Sequence, residues 1–307
     1  MSKDRIHFTG LLANVDSSIL NVKLDHGFTI VALPEDTGCA FFSYLEKLSC
    51  DETIKKLFME YPCFNSSEQK YFAIYSSYAC DAKDIESFLN EPGKIDNEYI
   101  LGYLDPTLRL MRLYKEGNIF MPLRYYYFIE DNIPERITSI GTHWHISMEP
   151  YDLKVMEIPD LENFIQNTKL PFEKQFLQLA FENFELSYHT QDADLSFLSL
   201  IMSMESLFNR GEGEIAYTIA RNTAVIIGQT EKDSKDVFNK MKKLYGKRSE
   251  IIHKGVKCID GRDVTELRHY VRESIKQIYR LGKTKDEVFD LLNALGYGQR
   301  SLLSAAE

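Results

Sequence analysis

The residues best suited to chemistry in this sequence lie between Arg248 and His253, a stretch that reads Arg-Ser-Glu-Ile-Ile-His. A guanidinium can hold an anion through two parallel hydrogen bonds, and an imidazole can take up or release a proton near neutral pH. No other Arg in the chain is followed by a His at this spacing. The stretch is therefore the first candidate for a site that binds an anion and moves a proton.

The helix that must position these side chains is predicted between Asp236 and Gly255. At about 100° of rotation per residue, its apolar residues form one stripe, which is typical of a helix packed on other helices. The stripe contains Val237, Phe238, Met241, Leu244, Tyr245, Ile251 and Ile252. Arg248 falls near its centre, where an unpaired guanidinium is costly to desolvate, and so it needs an anionic partner. His253 falls at the edge of the stripe, and we expect both side chains to face one cleft.

A second charge, Glu205, falls inside the apolar stripe of another predicted helix, which contains Phe197, Leu198, Ile201, Met204 and Phe208. Two interpretations remain open. Glu205 is either the buried partner of Arg248, which would make that arginine structural, or it orients a site in which a bound anion takes the guanidinium.

The composition indicates a folded protein of two domains. The chain has 307 residues, of which 44% are hydrophobic and 27% are charged. Its cysteines are odd in number and lack paired metal spacing, which predicts a reduced, cytoplasmic protein; they are Cys39, Cys50, Cys63, Cys80 and Cys258. The first residues contain no apolar leader and no run is apolar enough to span a bilayer, so neither secretion nor membrane insertion is expected.

The charge is distributed unevenly. The net charge is −10, yet the segment from Thr230 to Lys283 carries 15 Lys and Arg against 8 Asp and Glu. The segment therefore has a balance of +7 and the rest of the chain −17. This pattern disfavours general nucleic-acid binding but allows local, salt-sensitive binding of phosphate groups, with a solvated charged helix face as the alternative.

The prolines divide the chain, since all nine lie at or before Pro171. We predict an α+β fold class, with a strand-rich α+β domain over residues 1–158, a linker over 159–170 and an all-α helical bundle over 171–300. Runs rich in Val, Ile, Phe and Thr predict strands in the first domain. These strands are Arg5–Val15, Ile19–Leu24, Gly27–Leu33, Lys70–Tyr78, Ile119–Glu130 and Ile137–Ser147, with a turn at Asp25–Gly27 and helices at Cys39–Leu48 and Thr53–Glu60. The sheet is expected to be open to a ligand.

Apolar residues at helical spacing predict six helices in the bundle. They are Phe172–Tyr188, a helix capped by Asp192 or Asp194 and ending at Phe208, Glu214–Ile227, the helix ending at Gly255, Asp263–Leu281 and Lys285–Leu295. Gly228 is predicted to cap the third helix, and Thr230 with Asp233 to form a capping box at the start of the fourth.

The order of these motifs resembles the HEPN domain superfamily, in its ApeA-like branch. Three segments carry the resemblance: Ser203–Phe208 (SMESLF), Ile219–Asn222 (IARN) and Leu244–His253 (LYGKRSEIIH), and it covers roughly residues 171–295. The resemblance implies a helical, commonly dimeric domain in which motif-bearing helices of two chains meet across a symmetric interface. Many members are metal-independent endoribonucleases in toxin, antiphage or RNA-processing systems, and others are inactive scaffolds.

Carried over to this sequence, the resemblance assigns Arg248 to the motif arginine, His253 to its histidine and Ser249 to a polar position where active relatives frequently carry Asn, Asp or His. It implies RNA as substrate and neither a metal nor another cofactor. The 2′-hydroxyl of RNA would attack the adjacent phosphate while His253 moves a proton and Arg248 holds the phosphate, leaving 2′,3′-cyclic phosphate ends. Three further residues are candidates for supporting contacts: Glu205, Lys247 and Lys254.

A single His per chain falls short of an acid–base pair, whereas a symmetric dimer would bring a second His253 and a second Arg248 to the same phosphate. We therefore expect a homodimer. The alternative is a non-catalytic scaffold whose N-terminal domain binds an unknown ligand or partner. An unrelated enzyme in the N-terminal domain is a third possibility, for which the sequence offers no motif.

Other motifs are weaker. His143 and His145 would share one face of a strand and could bind a metal, but without a third nearby ligand a strand with polar edge residues is favoured. Gly211–Glu214 precedes a helix without the Lys and Ser or Thr of a phosphate loop and is predicted to be a plain loop. Tyr125–Tyr127 would alternate across the sheet, where packing is favoured over stacking on a base.

Overall fold

The computed structural model describes residues 5–33, 71–79, 102–130, 133–141, 149–211, 214–255, 257 and 259–303. These residues divide into two compact units, one ending at Thr168 and the other beginning at Lys169. The first unit contains a β-sheet and the second is helical, which confirms the predicted α+β class with a C-terminal helical bundle.

The first unit is built on a five-stranded antiparallel sheet. Its strands are β1 (Arg5–Ala13), β2 (Thr29–Leu33), β3 (Tyr71–Ala79), β4 (Phe120–Glu130) and β5 (Ile133–Gly141). Their order across the sheet is β2-β3-β1-β4-β5, so β1 lies at the centre between β3 and β4. Helix α1 (Gly102–Tyr114) and helix α2 (Ile158–Asn167) contribute Leu108, Met111 and Leu161 to the same core as the strand residues Phe8 and Tyr126.

Alternation along the strands places polar aromatic side chains on the other face of the sheet. The hydroxyl groups of Thr9 and Tyr127 lie 3.0 Å apart, and His7 Nδ1 lies 2.8 Å from the Tyr75 hydroxyl. Thr9, Tyr125 and Tyr127 are buried. The predicted alternation of Tyr125–Tyr127 is therefore present, and all three tyrosines are packed rather than open to a ligand.

Two predictions for this unit were wrong, a third is right only in part, and one helix was not predicted. Residues predicted as the strand Ile19–Leu24 instead belong partly to a 3₁₀ helix, Ser17–Asn21, because the Asp16 carboxylate accepts the backbone N–H of Ser18 and caps this turn. The turn at Asp25–Gly27 is present but joins that helix to β2. The predicted linker over residues 159–170 is largely α2, whose Leu161 is fully buried. The sequence pattern also predicts no helix over Gly102–Tyr114, where α1 lies.

The first residue of one strand also differs from the prediction. Strand β5 begins at Ile133 rather than Ile137. The predicted helices Cys39–Leu48 and Thr53–Glu60 lie outside the described residues. The strands predicted at Arg5–Val15, Gly27–Leu33, Lys70–Tyr78 and Ile119–Glu130 are confirmed as β1 to β4 within two residues at each end.

The second unit contains all six predicted helices: α3 (Gln175–Leu186), α4 (Ala193–Phe208), α5 (Ile215–Ile227), α6 (Glu231–Lys254), α7 (Gly261–Leu281) and α8 (Lys285–Ala294). Helix α3 packs on α4, helix α6 packs on α5, and α7 packs against α3, α4 and α5. The bundle thus surrounds α7 with apolar residues of its neighbours. A 3₁₀ helix, Arg300–Leu303, follows α8.

The helix that carries the candidate site begins and ends at polar signals that the sequence contains. The Thr230 hydroxyl accepts the backbone N–H of Asp233, while the Asp233 carboxylate accepts the N–H of Gln229 rather than that of Thr230. At the other end, Gly255 adopts a left-handed conformation with φ 64°. These two caps set the length of α6 and place His253 in its last turn.

Two glycines give opposite predictions for the stability of the bundle. A Cβ on Gly228 would lie 2.2 Å from Ser234 Oγ and 2.6 Å from the Ala224 carbonyl oxygen, whereas a Cβ on Gly246, within α6, would meet nothing within 4 Å. We expect Gly228→Ala to lower the free energy of unfolding by about 1–3 kcal/mol. Gly246→Ala should raise it by about 0.5–1 kcal/mol, because alanine is the better helix former. Urea denaturation of both variants measures the two changes, and a stabilising Gly228→Ala would contradict the packing.

Candidate functional site

The candidate site lies on the C-terminal half of α6 and the facing part of α4. Helices α4 and α6 contact each other, and the contact brings Glu205 of α4 to Arg248 of α6. The Arg248 Nη2 atom lies 3.7 Å from Glu205 Oε1. The sequence therefore identified two charges that do meet in the fold.

The pair lies at the edge of the bundle rather than in its core. The side chain of Arg248 is 29% exposed and that of Glu205 is 24% exposed. Leu244 and Tyr245 are buried, whereas Ile252 is 49% exposed, so the buried stripe of α6 ends about one turn before the predicted end. The prediction that Arg248 falls near the centre of a buried stripe was wrong, because its side chain is partly exposed and the stripe is no longer buried at Ile252.

Tyr245 is a third member of this group, although the sequence pattern predicts it only as part of the apolar stripe. Its hydroxyl donates a hydrogen bond of 2.7 Å to Glu205 Oε1, the same oxygen that faces Arg248. Burial and the adjacent Glu205 carboxylate raise the pKa of Tyr245 to about 12, so the hydroxyl is a neutral donor at physiological pH. Tyr245 makes the short contact with the carboxylate, and the contact of Arg248 is longer than a hydrogen bond.

The other predicted site residues lie in different surroundings. Lys247 pairs with Asp263 at the start of α7 at 2.5 Å, and Lys254 pairs with Glu250 of its own helix at 3.6 Å. Ser249 is exposed. Lys247 therefore links α6 to α7 through an ion pair, while Ser249 and the Lys254 ammonium face solvent.

His253 is exposed in the last turn of α6, and no hydrogen-bond partner is present for it among the described residues. A separation of five residues turns a side chain by roughly 140° about the helix axis and moves it by roughly 7.5 Å along it. Arg248 contacts α4 through Glu205, and His253 is exposed about one turn further along α6. That the two side chains face one cleft stays a prediction.

Exposed apolar side chains flank the ion pair on both helices. Met202 precedes Glu205 by three residues and is 54% exposed, and Ile252 follows Arg248 by four residues and is 49% exposed. Residues at these spacings lie on the same side of a helix. The Arg248–Glu205 pair thus lies between two exposed apolar residues, a setting that suits a contact surface better than a solvated face.

The weaker motifs of the sequence gain no support as sites. His143 and His145 lie outside the described residues, as do two residues of the Gly211–Glu214 loop. His269 is exposed on α7, with its ring centroid 5.9 Å from that of Tyr270. Within the described ranges, no group of three His, Cys, Asp or Glu side chains has the arrangement of a metal site.

In the described part of the chain, no helix is both long and apolar enough to cross a lipid bilayer. Comparison with protein-family models, with curated proteins and with solved structures finds no match to this chain.

Proposed function

We propose that this protein is a metal-independent endoribonuclease of the HEPN type, acting in the cytoplasm on RNA. The observation that carries the proposal is the state of Arg248. Its guanidinium is partly exposed, lies 5.9 Å from the centre of the Tyr245 ring and is 3.7 Å from Glu205, whose nearer bond is to the Tyr245 hydroxyl. A phosphate oxygen can therefore accept hydrogen bonds from the guanidinium while the Glu205 carboxylate keeps its bond from the Tyr245 hydroxyl. The resemblance of the Leu244–His253 segment to the HEPN motif supplies the reaction.

In the proposed reaction, the 2′-oxygen of a ribose forms a bond to the adjacent phosphorus and the bond from phosphorus to the 5′-oxygen breaks. One imidazole takes the proton of the 2′-hydroxyl and another gives a proton to the departing 5′-oxygen. Arg248 donates hydrogen bonds to the phosphate oxygens, on which negative charge increases in the transition state. The products are a 2′,3′-cyclic phosphate and a 5′-hydroxyl.

Because one chain supplies a single His253 and the reaction needs both a general base and a general acid, the proposed active unit is a homodimer. Two copies that pack the surface around Met202 and Ile252 against each other would bring both motif-bearing helices together about a two-fold axis. The exposure of these apolar side chains supports this arrangement, since burying them against a second copy removes them from water.

The dimer gives a prediction of its own. We expect Met202→Glu to convert the protein into monomers and to reduce RNA cleavage at least tenfold at micromolar concentration, because burying an unpaired carboxylate costs about 3–5 kcal/mol. Multi-angle light scattering measures the oligomeric state. Met156→Glu is the matched control, since Met156 is 80% exposed in the first unit. Dimers of Met202→Glu with unchanged cleavage would contradict the proposed interface.

The function itself is tested with two substrates that differ only in the 2′-hydroxyl groups of their sugars. The purified protein is incubated, with EDTA present, with a labelled RNA and with the same oligonucleotide carrying 2′-deoxyribose throughout. We expect cleavage of the RNA alone, and cyclic phosphate ends identified by mass spectrometry. Cleavage of both strands, or cleavage that EDTA abolishes, would contradict a reaction that depends on the 2′-hydroxyl and not on a metal.

The second candidate function is a non-catalytic scaffold, which the Arg248–Glu205 contact favours if it is purely structural. In that case the bundle would dimerise through the same surface, and the first unit would bind a partner. A protein that dimerises but leaves both oligonucleotides intact at every concentration tested would favour this alternative. Expression of a scaffold should affect cell growth equally with or without Arg248 and His253. Expression of a nuclease should slow growth, and replacing Arg248 or His253 should abolish that effect.

A further inference from the structure

A polar cavity lies on the second unit, between the C-terminal end of α7 and the 3₁₀ helix Arg300–Leu303. Its volume is about 390 Å³. Its walls contain two arginines, Arg280 and Arg300, together with Gln229, Gln277 and Ser301, and Leu303 lies among the apolar lining. None of these residues belongs to the group around Arg248, so the cavity requires its own explanation.

The two arginines share one neutral acceptor. With the Gln277 amide oriented so that its oxygen faces the donors, this oxygen accepts hydrogen bonds from Arg280 Nη1, at 3.1 Å, and from Arg300 Nη2. Among the described residues, no carboxylate lies within salt-bridge distance of either guanidinium. Two positive charges are thus held beside each other without an ion pair of their own. The Glu273 carboxylate, which pairs with Lys276, offsets only part of their repulsion, and a bound anion would offset more of it.

Arg300 is held in place for such a role. Its Nη1 atom donates a hydrogen bond of 3.0 Å to the carbonyl oxygen of Ile227 at the end of α5, which leaves Nη2 on the side of Gln277. Burial lowers the pKa of Arg300. The carboxylates of Glu273 and Asp233 act in the opposite direction, and the neighbouring Arg280 guanidinium lowers the pKa further. Arg300, which lines the cavity, is therefore fixed in position by two hydrogen-bond acceptors.

We propose that this cavity binds a small phosphomonoester whose phosphate lies between Arg280 and Arg300. A phosphomonoester carries close to two negative charges at neutral pH, which matches two guanidinium groups, and its oxygens accept the parallel hydrogen bonds that arginine offers. The amide groups of Gln229 and Gln277 provide donors and acceptors for the rest of the ligand. A cavity of this volume accommodates a molecule of mononucleotide size. The same chemistry would recognise the 5′-phosphate of a nucleic acid.

The test is calorimetric titration of the full chain with inorganic phosphate, with AMP and with adenosine, at constant ionic strength. We expect phosphate and AMP to bind, and adenosine to bind at least tenfold more weakly than AMP. Arg280→Gln should weaken AMP binding at least tenfold, because it removes a charged donor to the phosphate. Arg280 is exposed, so the variant is expected to fold.

Arg262→Gln is the matched control, since Arg262 is exposed in the first turn of the same helix and loses the same charge. A short DNA strand with a 5′-phosphate, compared with the same strand ending in a 5′-hydroxyl, distinguishes a nucleic-acid end from a free small molecule. Binding of phosphate, AMP or the phosphorylated strand that depends on Arg280 supports the site. No binding by any of the three, or equal binding by Arg280→Gln, would overturn it. Because binding is measured without cleavage, its failure is distinct from a failure of the ribonuclease proposal.

Discussion

Replacing His253 with alanine is expected to reduce RNA cleavage by about 100- to 10,000-fold, the range that a positioned general acid or base contributes. His253 is the only His that the motif places at the end of α6, and no other proton-transfer group in the proposed site has its chemistry. In a symmetric dimer the change removes both imidazoles at once, because each chain supplies one. The loss should therefore appear in kcat, with KM changed less, since the phosphate remains bound by Arg248.

The same change should leave the fold intact. His253 is exposed and no described residue forms a hydrogen bond with it, so we expect the free energy of unfolding to change by less than about 0.5 kcal/mol. His269→Ala is the matched control, because His269 is also exposed on a bundle helix but lies on α7. Equal losses of cleavage in the two variants, or no loss in His253→Ala, would remove His253 from the reaction.

Periodicity predicted the bundle well because its helices are amphipathic and their ends carry recognisable caps. Asp192, Thr230 and Gly255 all occupy the capping positions that their residue types favour. The first unit was harder to predict. Helix α1 was missed because Pro106 lies inside it, and a proline normally ends or bends a helix; here it follows the start of α1 by only four residues, where few backbone bonds are lost.

The burial of two charged residues in the bundle could not be predicted from the sequence either. Arg268 and Arg272 of α7 are almost fully buried, although arginine at such positions usually indicates a solvated face. Arg268 donates hydrogen bonds to the Ser187 and Ser196 hydroxyls, and Arg272 to the Tyr188 hydroxyl. These acceptors lie in α4 and in the segment after α3, so only the tertiary structure brings them to α7. No local pattern in α7 could have predicted them.

The candidate site falls between these two cases. Helical spacing showed that Glu205 and Arg248 were unusual charges, and the structure brings them to 3.7 Å. Spacing could not show that Tyr245 binds the same carboxylate oxygen, because a tyrosine on an apolar stripe is usually only packed. Helical spacing also overestimated the burial of Arg248, because burial depends on the neighbouring helices and not on spacing alone.

Arg248→Ala is expected to reduce RNA cleavage by about 100- to 1,000-fold, the usual effect of removing a donor that stabilises transition-state charge. Arg248→Lys should recover only part of this loss, because an ammonium cannot form the two parallel bonds of a guanidinium. Cleavage by the three proteins under single-turnover conditions measures the effect. Urea denaturation of the same samples separates a lost phosphate contact from a damaged fold.

Glu205→Gln decides between the two roles of that arginine. The change keeps the size of the side chain and an oxygen that can accept the Tyr245 hydroxyl, but removes the charge that faces Arg248. If the guanidinium serves the phosphate, we expect cleavage to stay within about fivefold of wild type and stability within about 1 kcal/mol, the usual worth of a partly exposed ion pair. If Arg248 is only a structural partner, Glu205→Gln and Arg248→Ala should lower the free energy of unfolding by similar amounts. Any loss of cleavage should then be explained by the smaller fraction of folded protein. Because the 3.7 Å contact is long and Tyr245 already occupies the carboxylate oxygen, we expect the first outcome.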